Sequence, residues 1–323
     1  MDLGPLLGST LLPFILTTLL TELLIRLLRS KGLVVRDYHK QGMKMVPRPG
    51  GPSIFAGSMA SMAVLYYFMP SEDLLAMVLS VAIAFAVGML DDFFTLGGIE
   101  KPLLLTLSAV PILALGAYDY HLRFPLFGAA RLSIVYPILV VLSMPVVSNT
   151  VNMIDVMNGV VSSFMIIATI PLAFFFLLQG NEEMLLASLI LISVCLAFYL
   201  YHRYPSKIFP GDSGALALGA MYGALAIVGR AEFVGMVALF PAIINSFSYL
   251  ASVKGFIEHR KVKERPIEVE GGMLKASRSV KAPITLVRML LLEGPLCERD
   301  VAKNIAILAS FSSALAILTA VMI

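Results

Sequence analysis

The sequence predicts an all-α membrane protein that crosses the bilayer about ten times. Hydrophobic residues make up 59% of the 323 residues and charged residues only 14%, whereas soluble domains carry about 25% charged residues. The apolar residues form continuous runs of roughly 17–25 residues, and each run is long enough to cross about 30 Å of hydrocarbon as a helix. Backbone groups in lipid must be satisfied internally, and continuous rather than alternating apolar runs favour helices over a barrel.

These runs predict one transmembrane domain over residues 1–323, with a cytoplasmic loop subdomain at about 252–303. Within that loop, residues 265–269 and 273–277 flank a Gly-Gly pair and predict a small hairpin. Residues 283–292 predict an interfacial amphipathic helix. The two cysteines, Cys195 and Cys297, are expected to be free thiols. The predicted membrane helices cover residues 3–28, 50–69, 73–90, 102–118, 132–148, 159–178, 184–201, 213–229, 232–251 and 304–323.

The basic residues predict the orientation of these helices. Ten crossings place two sets of loops on opposite sides of the membrane. Arg123, Arg131 and Arg230 are the only basic residues of the set that includes both termini, and the other 21 of the 24 Lys and Arg residues lie in the opposite loops or at their border. The positive-inside rule makes the basic loops cytoplasmic and leaves both termini outside. Basic loops beside a membrane indicate topology and lipid contact, so no nucleic-acid partner is expected.

The first polar motif is GMLDDFFTLGGIEK, where the third predicted helix meets the cytoplasm. Asp91 and Asp92 are adjacent carboxylates at an apolar helix end, which is costly unless a cation lies nearby. Like charges this close also raise one pKa, which suits a base or a metal ligand. Lys101 could return to the same face and bind phosphate. The alternative interpretation is a solvated helix end.

The second motif, SNTVNMIDVMNG, places a polar side chain at every third position. On a helix, Asn149, Asn152, Asp155 and Asn158 would form one slowly drifting stripe. Amide and carboxylate groups of this kind can hold a metal ion or donate hydrogen bonds to a base or sugar. A solvated helix end explains the motif equally well when it is taken alone.

The third motif, FPGDSGALALG, places Asp212 on a Pro-Gly turn just before a predicted helix. Its carboxylate could cap that helix through the amides of Ser213 and Gly214, or it could bind Mg²⁺ at the membrane surface. The same two amides could also approach a phosphate at the helix N-terminus.

Two basic segments complete the set of candidates. Ordinary positive-inside topology is sufficient to explain most of their charges. Alternatively, they could bind phosphate or move protons beside the other motifs. The first segment, RDYHKQGMKMVPRPGG, contains Asp37, His39 and four cations; the second, KASRSVK, contains Lys275, Arg278 and Lys281. The four cations of the first are Arg36, Lys40, Lys44 and Arg48.

The five segments are more informative together than separately, because all are predicted to reach one face of the membrane. Carboxylates and amides favour a hard, oxygen-liganded cation, and the surrounding cations favour a phosphate-rich substrate. The usual soluble motifs are missing from the sequence: it has no Walker P-loop, no HExxH and no GxSxG.

The three polar motifs, in this order and on this face, resemble the polyprenyl-phosphate N-acetylhexosamine-1-phosphate transferases. The resemblance covers essentially the whole chain and implies the ten-helix topology with both termini outside. It implies that a lipid phosphate oxygen attacks the β-phosphorus of a UDP-sugar and that UMP leaves. It also implies Mg²⁺, or Mn²⁺ in its place, as the cofactor that balances the charge of the diphosphate.

Motif matching assigns expected roles to individual residues. Asp212 resembles the principal metal carboxylate, and Asn152 resembles the metal-binding asparagine. Asp91 and Asp92 resemble the essential Asp pair and are expected to include the proton acceptor for the lipid phosphate. Lys101 resembles the pyrophosphate lysine. The expected substrate contacts are Asp155 and Asn158 near the uridine or adjacent polar groups, Asp37 and Lys40 near the lipid phosphate, Arg278 and Lys281 in the last loop, and Asn149.

The sequence departs from the family pattern at two places. Thr95 stands where several members have Asn. The last cytoplasmic loop lacks the HHH of the muramoyl-pentapeptide branch, the HxH of the undecaprenyl branch and the PRHR of the eukaryotic branch. These departures favour an archaeal-type enzyme that uses dolichyl phosphate and UDP-GlcNAc in the first membrane step of N-glycan assembly. Membrane lipids are expected partners, and the choice between a monomer and a homodimer stays open.

Other membrane proteins fit the sequence less well. A UbiA-type prenyltransferase would need a second Asp-rich motif, and a CDP-alcohol phosphotransferase would need DGxxAR followed by GxxxDxxxD, neither of which the sequence contains. A transporter of phosphorylated cargo would place polar groups near the bilayer midplane, whereas here they are predicted at one interface.

Overall fold

The computed structural model describes residues 3–38, 44–255 and 264–323, and most of these residues are helical. The helices are α1 (Leu3–Ser30), α2 (Gly51–Phe68), α3 (Glu72–Phe94), α4 (Glu100–Leu105), α5 (Val110–Ala114), α6 (Val135–Ile154), α7 (Val160–Gln179), α8 (Glu182–His202), α9 (Gly211–Val228), α10 (Glu232–Ala238), α11 (Phe240–Val253), α12 (Leu286–Leu290) and α13 (Glu298–Met322).

The described helices support a polytopic membrane protein. Seven of them are long and apolar enough to cross a bilayer, and the bent pair α10–α11 would make an eighth. The two other segments predicted to cross are α2, which has 18 residues, and residues 100–114, which do not form one continuous helix.

Two predicted helices are broken in the structure. Instead of one helix over residues 102–118, α4 is followed by a 3₁₀ turn at Thr106–Ala109 and then by α5. Instead of one helix over residues 232–251, α10 and α11 meet at an angle of 69°. Pro111 and Pro241 lie in the first turn of α5 and α11. Proline lacks the N–H that would continue the preceding helix, which accounts for both breaks.

Three helices reach further into the polar motifs than the apolar runs predicted. Helix α3 continues to Phe94 and therefore contains Asp91 and Asp92, while α6 continues to Ile154 and contains Asn152. Helix α9 begins at Gly211, which places Asp212 in its first turn. Hydropathy falls where polar residues begin, but the helical backbone continues because these side chains find partners in neighbouring elements.

Helix α9 lies at the centre of the bundle. All 18 of its residues are buried, and it packs against α2, α3 and α6. The small residues of α9 allow the backbones of neighbouring helices to approach closely, for example at Ser213, where α3 contacts it. A Cβ atom on Gly88 of α3 would lie 2.5 Å from the Cα atom of Ser213, so glycine is required there for the two helices to touch.

Among the described residues, three antiparallel hairpins connect or flank the helices. They are β1 (Val34–Arg36) with β2 (Met45–Pro47), β3 (His121–Phe124) with β4 (Gly128–Arg131), and β5 (Ile267–Glu270) with β6 (Met273–Ala276). The β5–β6 hairpin confirms the hairpin predicted in the last loop. The helix predicted at 283–292 is shorter than expected, since α12 has five residues.

Candidate active site

Three helix ends and one loop meet at a cluster of charged side chains. The last turn of α3 contributes Asp91 and Asp92, and the first turn of α9 contributes Asp212. Lys101 comes from the first turn of α4, and Arg48 comes from the loop between β2 and α2. We call these five residues the Asp212 cluster; Asn152 of α6 borders it.

Each carboxylate oxygen of Asp212 faces a cation. Lys101 Nζ lies 2.5 Å from Oδ1 of Asp212, and Arg48 Nη2 contacts Oδ2. The Nδ2 atom of Asn152 also donates to Oδ1, at 3.0 Å. The Asp212 side chain is 8% exposed, so a charge buried this deeply depends on its cationic partners. The N-cap interpretation of Asp212 is wrong, because α9 already begins at Gly211 and the Ser213 amide donates to Asp92 instead of Asp212.

Asp92 anchors the N-terminus of α9 from the neighbouring helix. Its Oδ1 accepts the backbone N–H of Asp212 at 2.9 Å and Arg48 Nη2 at 3.0 Å. Its Oδ2 accepts the backbone N–H of Ser213 at 2.9 Å and the Ser213 hydroxyl at 2.6 Å. A carboxylate offers about four lone-pair positions, and here all four are used. An anion at a helix N-terminus is favourable, so the Ser213 amide serves Asp92 instead of an external phosphate.

Asp91 holds the turn that follows α3. Its Oδ1 accepts the backbone N–H of Leu96 at 2.6 Å, and its Oδ2 lies 2.8 Å from Lys101 Nζ. Lys101 therefore bridges Asp91 and Asp212. The expectation that Lys101 returns to the face of the Asp pair is confirmed in its geometry.

Backbone pairing fixes the position of Arg48. The N–H of Phe209 donates to Pro47 O at 3.0 Å, and the N–H of Gly50 donates to Phe209 O at 2.8 Å. These bonds join the first loop to the segment that precedes Asp212. Burial opposes the charge on Arg48, but Asp212 and Asp92 outweigh it and raise the pKa of its guanidinium. Arg48 therefore remains a cation within the cluster.

Asp155 lies beside the cluster, against a buried histidine. Its Oδ1 is 3.7 Å from Nε2 of His202, and Nδ1 of His202 is 2.8 Å from the hydroxyl of Ser162. Burial raises the pKa of the Asp155 carboxyl to about 7, with Arg48 opposing the rise and Asp212 adding to it. A carboxyl with this pKa exchanges protons near neutral pH.

Asp37 and Asn158, which are far apart in sequence, meet in a second buried contact. Nδ2 of Asn158 lies 3.3 Å from Oδ2 of Asp37, and the Asn158 backbone N–H donates to Oε1 of Glu298 at 3.1 Å. Asp37, Asn158 and Glu298 are all at most 5% exposed. The first loop, the second motif and the start of α13 are thus joined through buried polar groups.

Other predicted site residues are placed differently. The amide of Asn149 donates to the sulfur of Met153 on its own helix, at 3.4 Å. Arg278 and Lys281 are exposed in the loop after β6, and no hydrogen bond or ion pair among the described residues joins them to Asp212. Arg288 stabilises that loop through the carbonyls of residues 277, 279, 282 and 283. Lys40 and His39 lie outside the described residues.

The donor groups around Asp212 suit a hard divalent cation. No group of three or more His, Cys, Asp or Glu residues with metal-binding geometry occurs within residues 3–38, 44–255 and 264–323. Magnesium is commonly held by one or two carboxylates together with substrate phosphates and water, so Asp212 with Asn152 is a sufficient protein contribution. The Asn152 oxygen and nitrogen are related by a 180° turn of the amide, so the oxygen can face a cation.

Comparison with known proteins finds a matching family model and several relatives. The model of glycosyl transferase family 4 matches residues 74–230, which include Asp91, Asp92, Lys101, Asn152 and Asp212. A relative from Sulfolobus acidocaldarius is 27% identical over 230 residues, covering 68% of this chain and 70% of the relative. It is provisionally named a UDP-N-acetylglucosamine–dolichyl-phosphate N-acetylglucosaminephosphotransferase. These matches support the polyprenyl-phosphate N-acetylhexosamine-1-phosphate transferase family for this chain.

Two further relatives of this chain come from an archaeon and a bacterium. A Saccharolobus solfataricus protein with the same provisional name is 29% identical over 225 residues, covering 68% of this chain and 70% of the relative. The phospho-N-acetylmuramoyl-pentapeptide-transferase of Thermotoga maritima is 28% identical over 254 residues, covering 75% of this chain and 82% of the relative.

Sequence reasoning missed two features of the site. Arg48 was one of several basic residues that positive-inside topology explains, and nothing in its local sequence distinguishes it from Arg36 or Lys44. Nothing in the sequence around Asp92 or in the third motif indicated that the Asp92 carboxylate would accept hydrogen bonds from the first turn of α9. Both contacts join residues more than 40 positions apart.

Proposed function

We propose that the protein transfers N-acetylglucosamine-1-phosphate from UDP-GlcNAc to dolichyl or another polyprenyl phosphate and releases UMP. An oxygen of the lipid phosphate forms a bond to the β-phosphorus of the donor. The bond between that phosphorus and the bridging oxygen breaks, and the bridging oxygen leaves with UMP. The product is a lipid-diphospho-sugar, in the first membrane step of glycan assembly, which we assign to N-glycans.

The observation that carries this proposal is the Asp212 cluster. Its three carboxylates and two cations leave one negative charge when all are ionised. A divalent cation would change that sum to one positive charge and would favour a diphosphate over neutral ligands. The names of the archaeal relatives support GlcNAc and dolichyl phosphate.

Magnesium, or manganese in its place, is the proposed cofactor. Asp212 and Asn152 would hold it, with substrate oxygens and water completing its ligands. When bound, it would polarise phosphoryl oxygens and stabilise the charge that develops on the diphosphate.

The cluster residues divide into phosphate-binding and positioning roles. Lys101 and Arg48 bind the donor diphosphate, Arg48 through the planar fork that suits phosphate oxygens. Asp92 positions Asp212, because three of its four accepted hydrogen bonds come from the first turn of α9. Asp91 accepts two hydrogen bonds from described residues, which leaves lone pairs for a proton of the lipid phosphate. We therefore assign the proton acceptor to Asp91 and not to Asp92.

The remaining predicted residues contact the substrates. Asp155 and Asn158 are proposed near the uridine, with Asn149 in α6, the helix that precedes them. Asp37 and Lys40 are proposed near the lipid phosphate. Arg278 and Lys281 are proposed near the sugar, reached when the last loop closes over the donor.

The proposed topology has ten crossings, with both termini outside and the Asp212 cluster at the cytoplasmic surface. This position lets a soluble nucleotide-sugar meet a lipid phosphate at the headgroup boundary. A homodimer is compatible with this arrangement, since the Asp212 cluster is built within one chain.

The test is UMP release by purified protein supplied with Mg²⁺, UDP-GlcNAc and a polyprenyl phosphate. Other UDP-N-acetylhexosamines and other carrier lipids are compared in the same assay. Asp212→Asn should lose turnover, whereas Asp119→Asn, a matched change on a loop distant from the cluster, should keep it. No UMP from any UDP-N-acetylhexosamine with any carrier would overturn the transferase assignment.

A further inference from the structure

The β3–β4 hairpin carries an unexpected concentration of positive charge. The loops predicted to lie opposite the basic face contain only three Lys or Arg residues, and Arg123 and Arg131 are two of them. The third, Arg230, lies 3.3 Å from Asp119 and is neutralised there. Positive-inside topology disfavours basic residues on this side, so the hairpin arginines require a separate explanation.

The hairpin lies at the end of the bundle opposite the Asp212 cluster. Helix α13 begins at Glu298, which bonds to Asn158, and ends at Met322, whose carbonyl accepts the N–H of Leu126 at 3.4 Å. The side chain of Gln179, at the far end of α7, accepts a hydrogen bond from Arg123 at 3.3 Å. The hairpin is therefore fixed against the ends of two long helices.

The two faces of the hairpin differ in chemistry. His121 pairs with Arg131, and Arg123 pairs with Ala129. Paired residues and residues two apart share a face in an antiparallel ribbon, so His121, Arg123 and Arg131 lie on one face. Phe124 lies on the other face, where its ring centroid is 4.9 Å from that of Phe233 in α10. Phe124 thus packs on the protein, while His121 and Arg131 are exposed on the basic face and Arg123 is half-buried there beside Gln179.

The tip of the hairpin is apolar and exposed. Leu126 is 76% exposed and Phe127 is 89% exposed. The chain then enters α6 through Ile134, which is 82% exposed, and the apolar side chains of Ile138 and Leu142 continue the exposed surface along α6. Because α6 is apolar and long enough to cross the bilayer, lipid is the medium that covers this surface.

We propose that the β3–β4 hairpin is a lipid anchor, with Leu126 and Phe127 inserted at the headgroup–acyl boundary and the basic face on phospholipid phosphates. Two observations favour phospholipid over a protein partner: the continuity of the tip with the exposed surface of α6, and the complementarity of Arg123 and Arg131 to anionic headgroups. Each guanidinium has five N–H donors. The bonds of Arg123 to Gln179 and of Arg131 to Ser133 leave donors for phosphate.

The chain contains no tryptophan, so one introduced tryptophan reports on one position. Phe127→Trp is placed in the full-length protein and reconstituted in vesicles of phosphatidylglycerol and phosphatidylcholine. Its emission should shift to the blue relative to N-acetyl-tryptophanamide in water. Lipids brominated near the headgroup should quench it more strongly than lipids brominated near the chain end, and aqueous acrylamide should quench it weakly.

Two control variants bracket this result. Glu270→Trp lies in the β5–β6 hairpin, where the Glu270 side chain is 73% exposed, and should show emission and acrylamide quenching close to the free reference. Leu142→Trp lies within α6 and should be quenched most strongly by deeply brominated lipid. If Phe127→Trp is quenched by acrylamide as efficiently as the free reference, or is insensitive to every brominated lipid, the anchor is refuted.

The role of the charges is tested in the Phe127→Trp background. Raising the phosphatidylglycerol fraction should strengthen the blue shift, and Arg123→Gln with Arg131→Gln should abolish that dependence. A protein partner would instead leave the emission independent of headgroup charge. An unchanged dependence in the double variant would refute the assignment of these arginines to phosphate.

Discussion

Replacing Asp92 with asparagine separates a positioning role from an acid–base role. Asparagine is nearly the same size as aspartate but keeps one acceptor oxygen and turns the other position into an NH₂ donor. In the structure, four donors converge on Asp92, from Asp212, Ser213 and Arg48. In Asp92→Asn, about two of these four donors would therefore face the NH₂ group of asparagine instead of an acceptor oxygen.

The magnitude follows from the bonds that are lost. A hydrogen bond to a charged group contributes about 1.5–3 kcal/mol, and the Asp92 side chain is only 2% exposed. Two lost bonds therefore cost about 3–6 kcal/mol. If this free energy appears as misplacement of Asp212 in the transition state, turnover falls by a hundredfold or more, since about 1.4 kcal/mol corresponds to a factor of ten.

The assay combines UMP release across pH with thermal unfolding in the same detergent. Asp92→Asn should lower kcat and the unfolding temperature together, and the pH dependence of the residual activity should keep the shape of the parent enzyme. Asp91→Asn is the matched control: it should unfold closer to the parent temperature and lose the acidic limb of the pH profile. An Asp92→Asn protein that is as stable as the parent, yet has lost that limb, would refute the positioning role.

Three further predictions follow from single contacts. Lys101→Met removes the cation between Asp91 and Asp212 and should lower the free energy of unfolding by about 3–5 kcal/mol. It should also raise KM for the donor, measured by UMP release, and an unchanged KM would contradict the phosphate role of Lys101. Gly88→Ala forces a Cβ atom to 2.5 Å from the Ser213 Cα atom and should cost about 1–3 kcal/mol in unfolding free energy; Ala84→Gly on the same helix tests general helix effects. Burial raises the pKa of Asp155 from 3.8 to about 7 in the folded protein, so the unfolded chain releases this proton at lower pH and the group lowers the free energy of unfolding as pH rises through that interval. Asp155→Asn should therefore flatten the fall of the unfolding temperature with pH. An unchanged slope of unfolding temperature against pH would contradict the raised pKa.

The polar motifs were predictable because they interrupt an otherwise apolar sequence. A carboxylate beside a membrane helix is costly without a partner, so Asp91, Asp92 and Asp212 were identified as candidates before any fold was known. Their convergence also followed from sequence, since alternating helices bring alternate loops to one side.

The identity of the partners was not predictable. Whether a basic residue in the first loop pairs with a carboxylate depends on backbone pairing between residues 47–51 and 209–210, which no local pattern encodes. For this reason Arg48 was indistinguishable from the other cations of its loop, while the structure places it on both Asp92 and Asp212. The regular spacing of Asn149 likewise gave no sign that its amide would contact Met153 of the same helix.

Helix ends were predicted least well, and for one physical reason. Hydropathy marks where a helix leaves hydrocarbon, whereas backbone hydrogen bonding decides where it ends. The polar ends of α3 and α6 stay helical because Asp91, Asp92 and Asn152 find partners in α4, α9 and the first loop. The 69° bend at Pro241 escaped prediction because its surrounding sequence is uniformly apolar.

The central claim is that Asp212, held by Asp92 and faced by Lys101 and Arg48, forms the metal-dependent diphosphate site. Calorimetric titration of UDP-GlcNAc into the purified protein, with and without Mg²⁺, tests it most directly. The account predicts that Mg²⁺ strengthens donor binding in the parent protein, that Asp212→Ala removes this metal dependence together with turnover, and that Asp119→Asn changes neither. Full metal-dependent binding and turnover in Asp212→Ala would contradict it.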